Sequence, residues 1–290
     1  MKHSFTFSTT LTLVLSLLTI SLPLTLASSP PTMSGFKLYW SDNFAGTAGS
    51  PAPPKNWKYE TPTVAQNNNG EIQQYTNSPL NANLSGSNTL YITPLYSSGT
   101  WTSARLSTWK SFGCDNNSEM ILQASIKMGQ NDPIHQTGFW PAFWTLGSRL
   151  RNNTASWPRC GEWDIMEQWN GSPSNLGTVH YGNDYYTHES LSSDQKAYDH
   201  TKWHTYGVRV SRVGDWTVQS ITWEMDGWPY FTVTGADVGS YDYWVDLVGW
   251  EYYVLLNIAV GGSAPMPNGE TWDGLGSGME VGYVAVYKRV

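Results

Sequence analysis

Charge is scarce in this chain of 290 residues: Asp, Glu, Lys and Arg make up 13% of it, against about 25% in an ordinary soluble domain. Basic residues are the scarcer kind, 16 Lys and Arg against 23 acids, for a net charge of −7. That balance leaves no footprint for nucleic acid or for an anionic membrane and suits a neutral ligand. Two cysteines, Cys114 and Cys160, are too few for a disulfide scaffold. No His/Cys/Asp spacing of the zinc kind occurs, so neither a metal nor another cofactor is expected. No segment holds a 3.6-residue apolar period for more than three turns, which argues against a helical bundle. No internal repeat and no linker-like break divides the chain, so residues 28–290 are expected to form one domain acting as a monomer.

Long apolar runs are also missing, with one exception. Leu11 to Ile20 is interrupted only by Thr12, Ser16 and Thr19, follows the weakly basic Lys2-His3, and leads to Thr25-Leu26-Ala27. Residues 1–27 therefore read as a secretory signal peptide, too short to span a membrane permanently. Its removal would leave 263 residues with a net charge of −8. The residues before Val290 are not an apolar tail, so no lipid anchor is expected. In a secreted chain an isolated cysteine pair is expected to form one disulfide, Cys114–Cys160, contributing roughly 4 kcal/mol on the chain-entropy model. Sequons at Asn83, Asn116, Asn152 and Asn170 fit secretion and a glycoprotein.

Aromatic residues, by contrast, are abundant: 16 Trp and 17 Tyr. Many must pack a core, yet a flat aromatic beside a few polar groups also suits the apolar face and polar rim of a sugar ring. Short runs rich in β-branched and aromatic residues alternate with Gly, Asn, Ser and Pro. Examples are residues 89–93, 120–126, 205–210, 221–225, 253–260 and 281–287, and Asp226-Gly227 marks a hairpin turn. The pattern predicts an all-β fold, a β-sandwich jelly roll with one sheet curved around a ligand.

Against the general scarcity of charge, Gly161-Glu162-Trp163-Asp164-Ile165-Met166-Glu167 places three carboxylates within six residues. Alternation puts Glu162 and Asp164 on one face of a strand and turns Glu167 away. A single-residue β-bulge would bring Glu167 back, and bulges are common beside active sites. Two glutamates with an aspartate between them are the equipment of a retaining glycoside hydrolase. A solvated strand edge or a cation site would also explain three acids. The aromatic neighbours Trp140, Phe143, Trp144 and Trp163 favour a sugar cleft.

Those residues, with Asn69 to Thr76, Trp101 to Leu106, Gly138 to Gly147, Trp157 to Cys160, His180-Tyr181, Trp203 to Gly207 and Leu256 to Gly262, resemble glycoside hydrolase family 16 over nearly all of residues 28–290. The closer likeness is to its laminarinase-like fungal members, and Glu-x-Asp-x-x-Glu is the bulged spacing. The resemblance implies Glu162 as nucleophile, Glu167 as acid/base and Asp164 as the partner hydrogen-bonding the nucleophile. It implies that Trp140 and Trp144 line subsites, which their equal parity permits by placing both on one face; a core role for one of them is the alternative. Arg105 and Glu71 match positions that touch sugar hydroxyls, or else form a surface ion pair. His180 matches a position near the acid/base, or is a structural histidine. Some relatives hold calcium through an aspartate where this chain has Gly282, which makes a structural calcium doubtful here. The implied activity is secreted endo-hydrolysis of β-1,3 or mixed β-1,3/1,4-glucan. Action on another polysaccharide such as β-1,3-galactan, glycan transfer, and glucan binding without catalysis stand as alternatives.

Overall fold

A computed structural model describes residues 29–61 and 69–290; the expected signal segment 1–27 lies outside the described residues. Two eight-stranded antiparallel sheets enclose the core. The front sheet runs Glu189–Ser192, Ser174–Tyr181, Glu162–Glu167, Phe139–Gly147, Tyr252–Val260, Arg105–Thr108 and Trp57–Tyr59, with Lys196–Ala197 also paired to Ser174–Tyr181. The back sheet runs Trp228–Thr234, Ser220–Met225, His204–Ser211, Glu119–Met128, Met279–Arg289, Leu90–Ile92 and Ala82–Leu84, with Phe36–Asp42 on the final long strand. One apolar cluster takes Phe143, Trp163, Val179 and Leu256 from the front and Leu122, Val208, Trp223 and Val284 from the back. Such shared burial between two sheets is the mark of a sandwich.

Alternation explains which face each residue serves. In Phe139–Gly147 the odd positions Phe139 and Phe143 enter the shared core, while Trp140, Ala142, Trp144 and Leu146 look outward. Tyr252–Val260 is buried along its whole length, because its outward Tyr253 and Leu255 join a second cluster with Leu146 and Cys160. Asp226 and Gly227 both adopt positive φ (54° and 78°), the conformation that a two-residue hairpin needs and that Asp-Gly accepts. The long stretch Val213 to Gln219 docks two short helices, Gly235–Val238 and Tyr241–Val248. Its Gln219 accepts from Gly235 N–H at 3.1 Å and, through Oε1, from Trp244 Nε1 at 3.0 Å.

The expected Cys114–Cys160 disulfide is not formed; both thiols are free and buried. Cys114 belongs to the shared core, with Sγ against the carbonyls of Ser118 and Val210. Cys160 belongs to the outward cluster with Leu146 and Tyr253. The two side chains serve different apolar layers, and burial raises both thiols, Cys114 to about 11 and Cys160 to about 12.

Candidate active site

The strand Glu162–Glu167 carries the bulge. Against its neighbour Phe139–Gly147, Met166 pairs with Phe143 and Asp164 with Trp144, leaving Ile165 as the surplus residue. Ile165 and Met166 both enter the shared core, so the alternation slips by one and Glu167 returns to the face of Glu162 and Asp164. Across the other neighbour, Glu162 lies opposite His180 and Asp164 opposite Thr178.

Each carboxylate has its own partners. Trp157 Nε1 donates to Glu162 Oε2 at 2.6 Å, and Trp140 Nε1 donates to Glu167 Oε1 at 2.8 Å. Asp164 Oδ2 lies 3.2 Å from His180 Nε2. Glu162, Asp164 and His180 bring ligand-type atoms within 4.8 Å of one another. Among the described residues this is the one cluster with a cation-like donor set. The Trp157 N–H already takes Glu162 Oε2 and His180 Nε2 faces Asp164 Oδ2, so these ligand-type atoms are engaged with protein groups and the set fits proton chemistry better.

Burial raises all three acids. Glu162 is pushed up to about 8, first by desolvation and then by the Asp164 charge, with His180 and the Trp157 N–H pulling the other way. Asp164 rises to about 7 by desolvation, partly offset by the neighbouring Glu162 carboxyl. Glu167 is raised well above its ordinary range by desolvation and by Asp164. Three buried carboxyls this close cannot all ionise, so protons stay in the cluster at neutral pH.

The other anticipated residues are placed as follows. Trp144 donates through Nε1 to Asn257 Oδ1 at 2.7 Å, and the Arg105 guanidinium lies 4.7 Å from its ring centroid. Arg105 pairs with Glu60 at 3.1 Å rather than with Glu71. Glu71 stands at the rim, bridged to Gly261 by its backbone, its carboxyl raised by desolvation and accepting from Asn69 at 3.4 Å. Trp140 meets Trp169 edge to face at 5.6 Å. Beside Glu167 a cavity of about 230 Å³ opens between Trp169, Ser172, Ser174, Leu176 and Gln195.

Sequence reasoning did not assign roles to Trp157, Asn257 or Trp169. The first two lie inside segments that carry the family resemblance, so position alone could have drawn attention to them. The Trp157 ring also faces His180, Tyr185 and His188 at centroid distances of 5.9, 6.0 and 5.2 Å. This makes an aromatic wall at the Glu162 end of the site.

Comparison with known proteins adds an independent line. Residues 58–212 match the model described as "XgeA-like, catalytic GH16 domain". A glucan endo-1,3-beta-glucosidase A1 of Niallia circulans is 27% identical over 89% of this chain and 39% of its own length. The chain thus spans about two fifths of that relative. A beta-glucanase of Rhodothermus marinus is 29% identical over 88% of this chain and 86% of its own. The crystal structure of an endo-1,3-beta-glucanase from Streptomyces sioyaensis superposes with a TM-score of 0.79, at 30% identity, over 90% of this chain and 99% of that one. These relatives are bacterial, and the expected fungal affinity finds no support among them. With more than half of the sequence inside the family model and the bulged acid strand at its centre, the chain belongs to glycoside hydrolase family 16.

Proposed function

We propose that the protein is a secreted endo-acting hydrolase of β-1,3 or mixed β-1,3/1,4-glucan that works with retention. One observation carries the reading: the surplus Ile165 turns Glu167 onto the outward face already holding Glu162 and Asp164. The glucan-cleaving names of the relatives in Niallia, Rhodothermus and Streptomyces support the substrate class. Export rests on the composition of residues 1–27 alone.

In the first step the Glu162 carboxylate attacks the anomeric carbon while Glu167 gives its proton to the departing glycosidic oxygen. The Trp157 N–H and the nearby His180 favour the ionised form of Glu162, whereas burial and Asp164 keep Glu167 protonated. Once Glu162 is esterified its negative charge is gone, so Glu167 ionises more readily. It then takes a proton from water, the hydroxide oxygen attacks the same carbon, and Glu162 leaves. Trp144, held by Asn257 and backed by Arg105, offers an aromatic face to a bound sugar, and the cavity beside Glu167 gives room to a glycosyl unit. A sugar hydroxyl entering that cavity in place of water would give transfer, the second reading, seen as longer products at high substrate concentration.

The test is turnover of laminarin and lichenan by Glu162→Ala and Glu167→Ala. Both variants should lose at least about 10³-fold in kcat, and azide should restore turnover of an activated aryl glycoside to Glu167→Ala. Full activity in either variant would overturn the assignment.

A further inference from the structure

Behind the acidic strand, on the side facing the core, stand two polar groups that no step above uses. Asn175 is fully buried on a strand whose other inward positions are Gly177, Val179 and Tyr181. Its Oδ1 accepts from the Glu167 backbone N–H at 3.1 Å, and its Nδ2 faces the Ile165 carbonyl at 3.4 Å and the Tyr230 hydroxyl at 2.8 Å. Because the Glu167 N–H can only donate, this sets the orientation of the amide. Trp223, also fully buried, reaches across from the back sheet and donates through Nε1 to the Asp164 carbonyl at 2.7 Å. Gly177 admits that indole: a Cβ there would lie 2.5 Å from Trp223 Cδ1.

A bulge breaks the ladder and leaves backbone groups without strand partners. Here the affected groups belong to Asp164, Ile165 and Glu167, and side chains from behind the strand satisfy all three. We propose that Asn175 and Trp223 form a latch that fixes the bulge and so sets the direction of the Glu167 and Asp164 carboxyls. Both are positioning residues; neither faces the cleft. This rests on the roles proposed above for Glu162 and Glu167. The latch acts on the bond-breaking geometry and not on sugar binding, so its loss lowers kcat and leaves KM nearly unchanged.

The experiment is a double-mutant cycle of Asn175→Ala with Glu167→Ala, measured on laminarin and on an activated aryl β-glucoside, with the melting temperature of each variant. Asn175→Ala alone should lower kcat on laminarin about 10- to 100-fold with KM within about twofold. In the Glu167→Ala background it should change azide-rescued turnover less than about twofold. A kcat within twofold of the parent, or an equal loss in both backgrounds, would overturn the latch. If Asn175→Ala fails to fold, Tyr230→Phe and Trp223→Phe decide. Each should cost several-fold in kcat with KM held, and unchanged kcat in both overturns the proposal. Glu167→Ala retaining full activity would instead sink the proposed function, so the two failures are told apart.

Discussion

Each sheet contains a long strand with one surplus residue, Ile165 in Glu162–Glu167 and Gly282 in Met279–Arg289. In the final strand the slip moves the inward set from Met279 and Val281 to Val284 and Val286, while Tyr283, Ala285 and Tyr287 turn to another apolar cluster. Apolar side chains occupy both faces and no carboxylate is re-aimed. In the acidic strand the same slip carries Glu167 from the core side to the open face, beside two other acids. A bulge is therefore a neutral device of sheet geometry, and its consequence depends on the side chain it redirects. The two also differ in support, since side chains from two other strands hold the front bulge through its backbone.

The sharpest way to break this comparison is to remove what each bulge presents. Glu162→Ala should abolish nearly all glucan cleavage, whereas Gly282→Ala should keep activity within about twofold whatever it does to the melting temperature. Asp164→Asn comes next, with kcat down about 10- to 100-fold and a shifted pH profile. The Asp164 charge raises both Glu162 and Glu167; without it both limbs of kcat/KM against pH should move to lower pH. Limbs that stay in place would deny the coupling. Trp144→Ala should act mainly on binding, raising KM for oligosaccharides about 10-fold with a smaller change in kcat.

The smallest effect is on stability. Glu162 stands near 8 in the fold against about 4.3 unfolded, so the unfolded chain releases its proton first. The fold consequently loses stability as pH rises between those values. Glu162→Gln should flatten that slope and at pH 7 raise stability by about 1 kcal/mol, roughly 2–4 °C in Tm, since the carboxyl is still partly open to solvent. A lower Tm at pH 7, recovering toward pH 4, would contradict the sign.

Much of the architecture was legible because strands announce themselves through alternation and turn chemistry. Met120 to Ile126 and Tyr253 to Val260 lie within strands, and Asp226-Gly227 forms its hairpin. The acid spacing was legible for the same reason, since Glu162, Asp164 and Glu167 cannot share a flat face. The disulfide was misread because sequence spacing does not say which side of a sheet a cysteine occupies. The alternative of an Arg105–Glu71 ion pair does not hold, because Arg105 pairs with Glu60, brought close by the Trp57–Tyr59 strand. Asn175 left one readable trace, a polar residue in register with the inward Val179 and Tyr181. Trp223 left none, because the contact it makes crosses the whole sandwich.

The most direct measurement is covalent trapping. Incubation with a 2-deoxy-2-fluoro glycosyl fluoride built on a β-1,3-linked glucose disaccharide, followed by peptide mass spectrometry, should find one sugar adduct, carried by Glu162. An adduct on Glu167 or Asp164, or rapid turnover of β-glucan with no adduct at any carboxylate, would contradict the account.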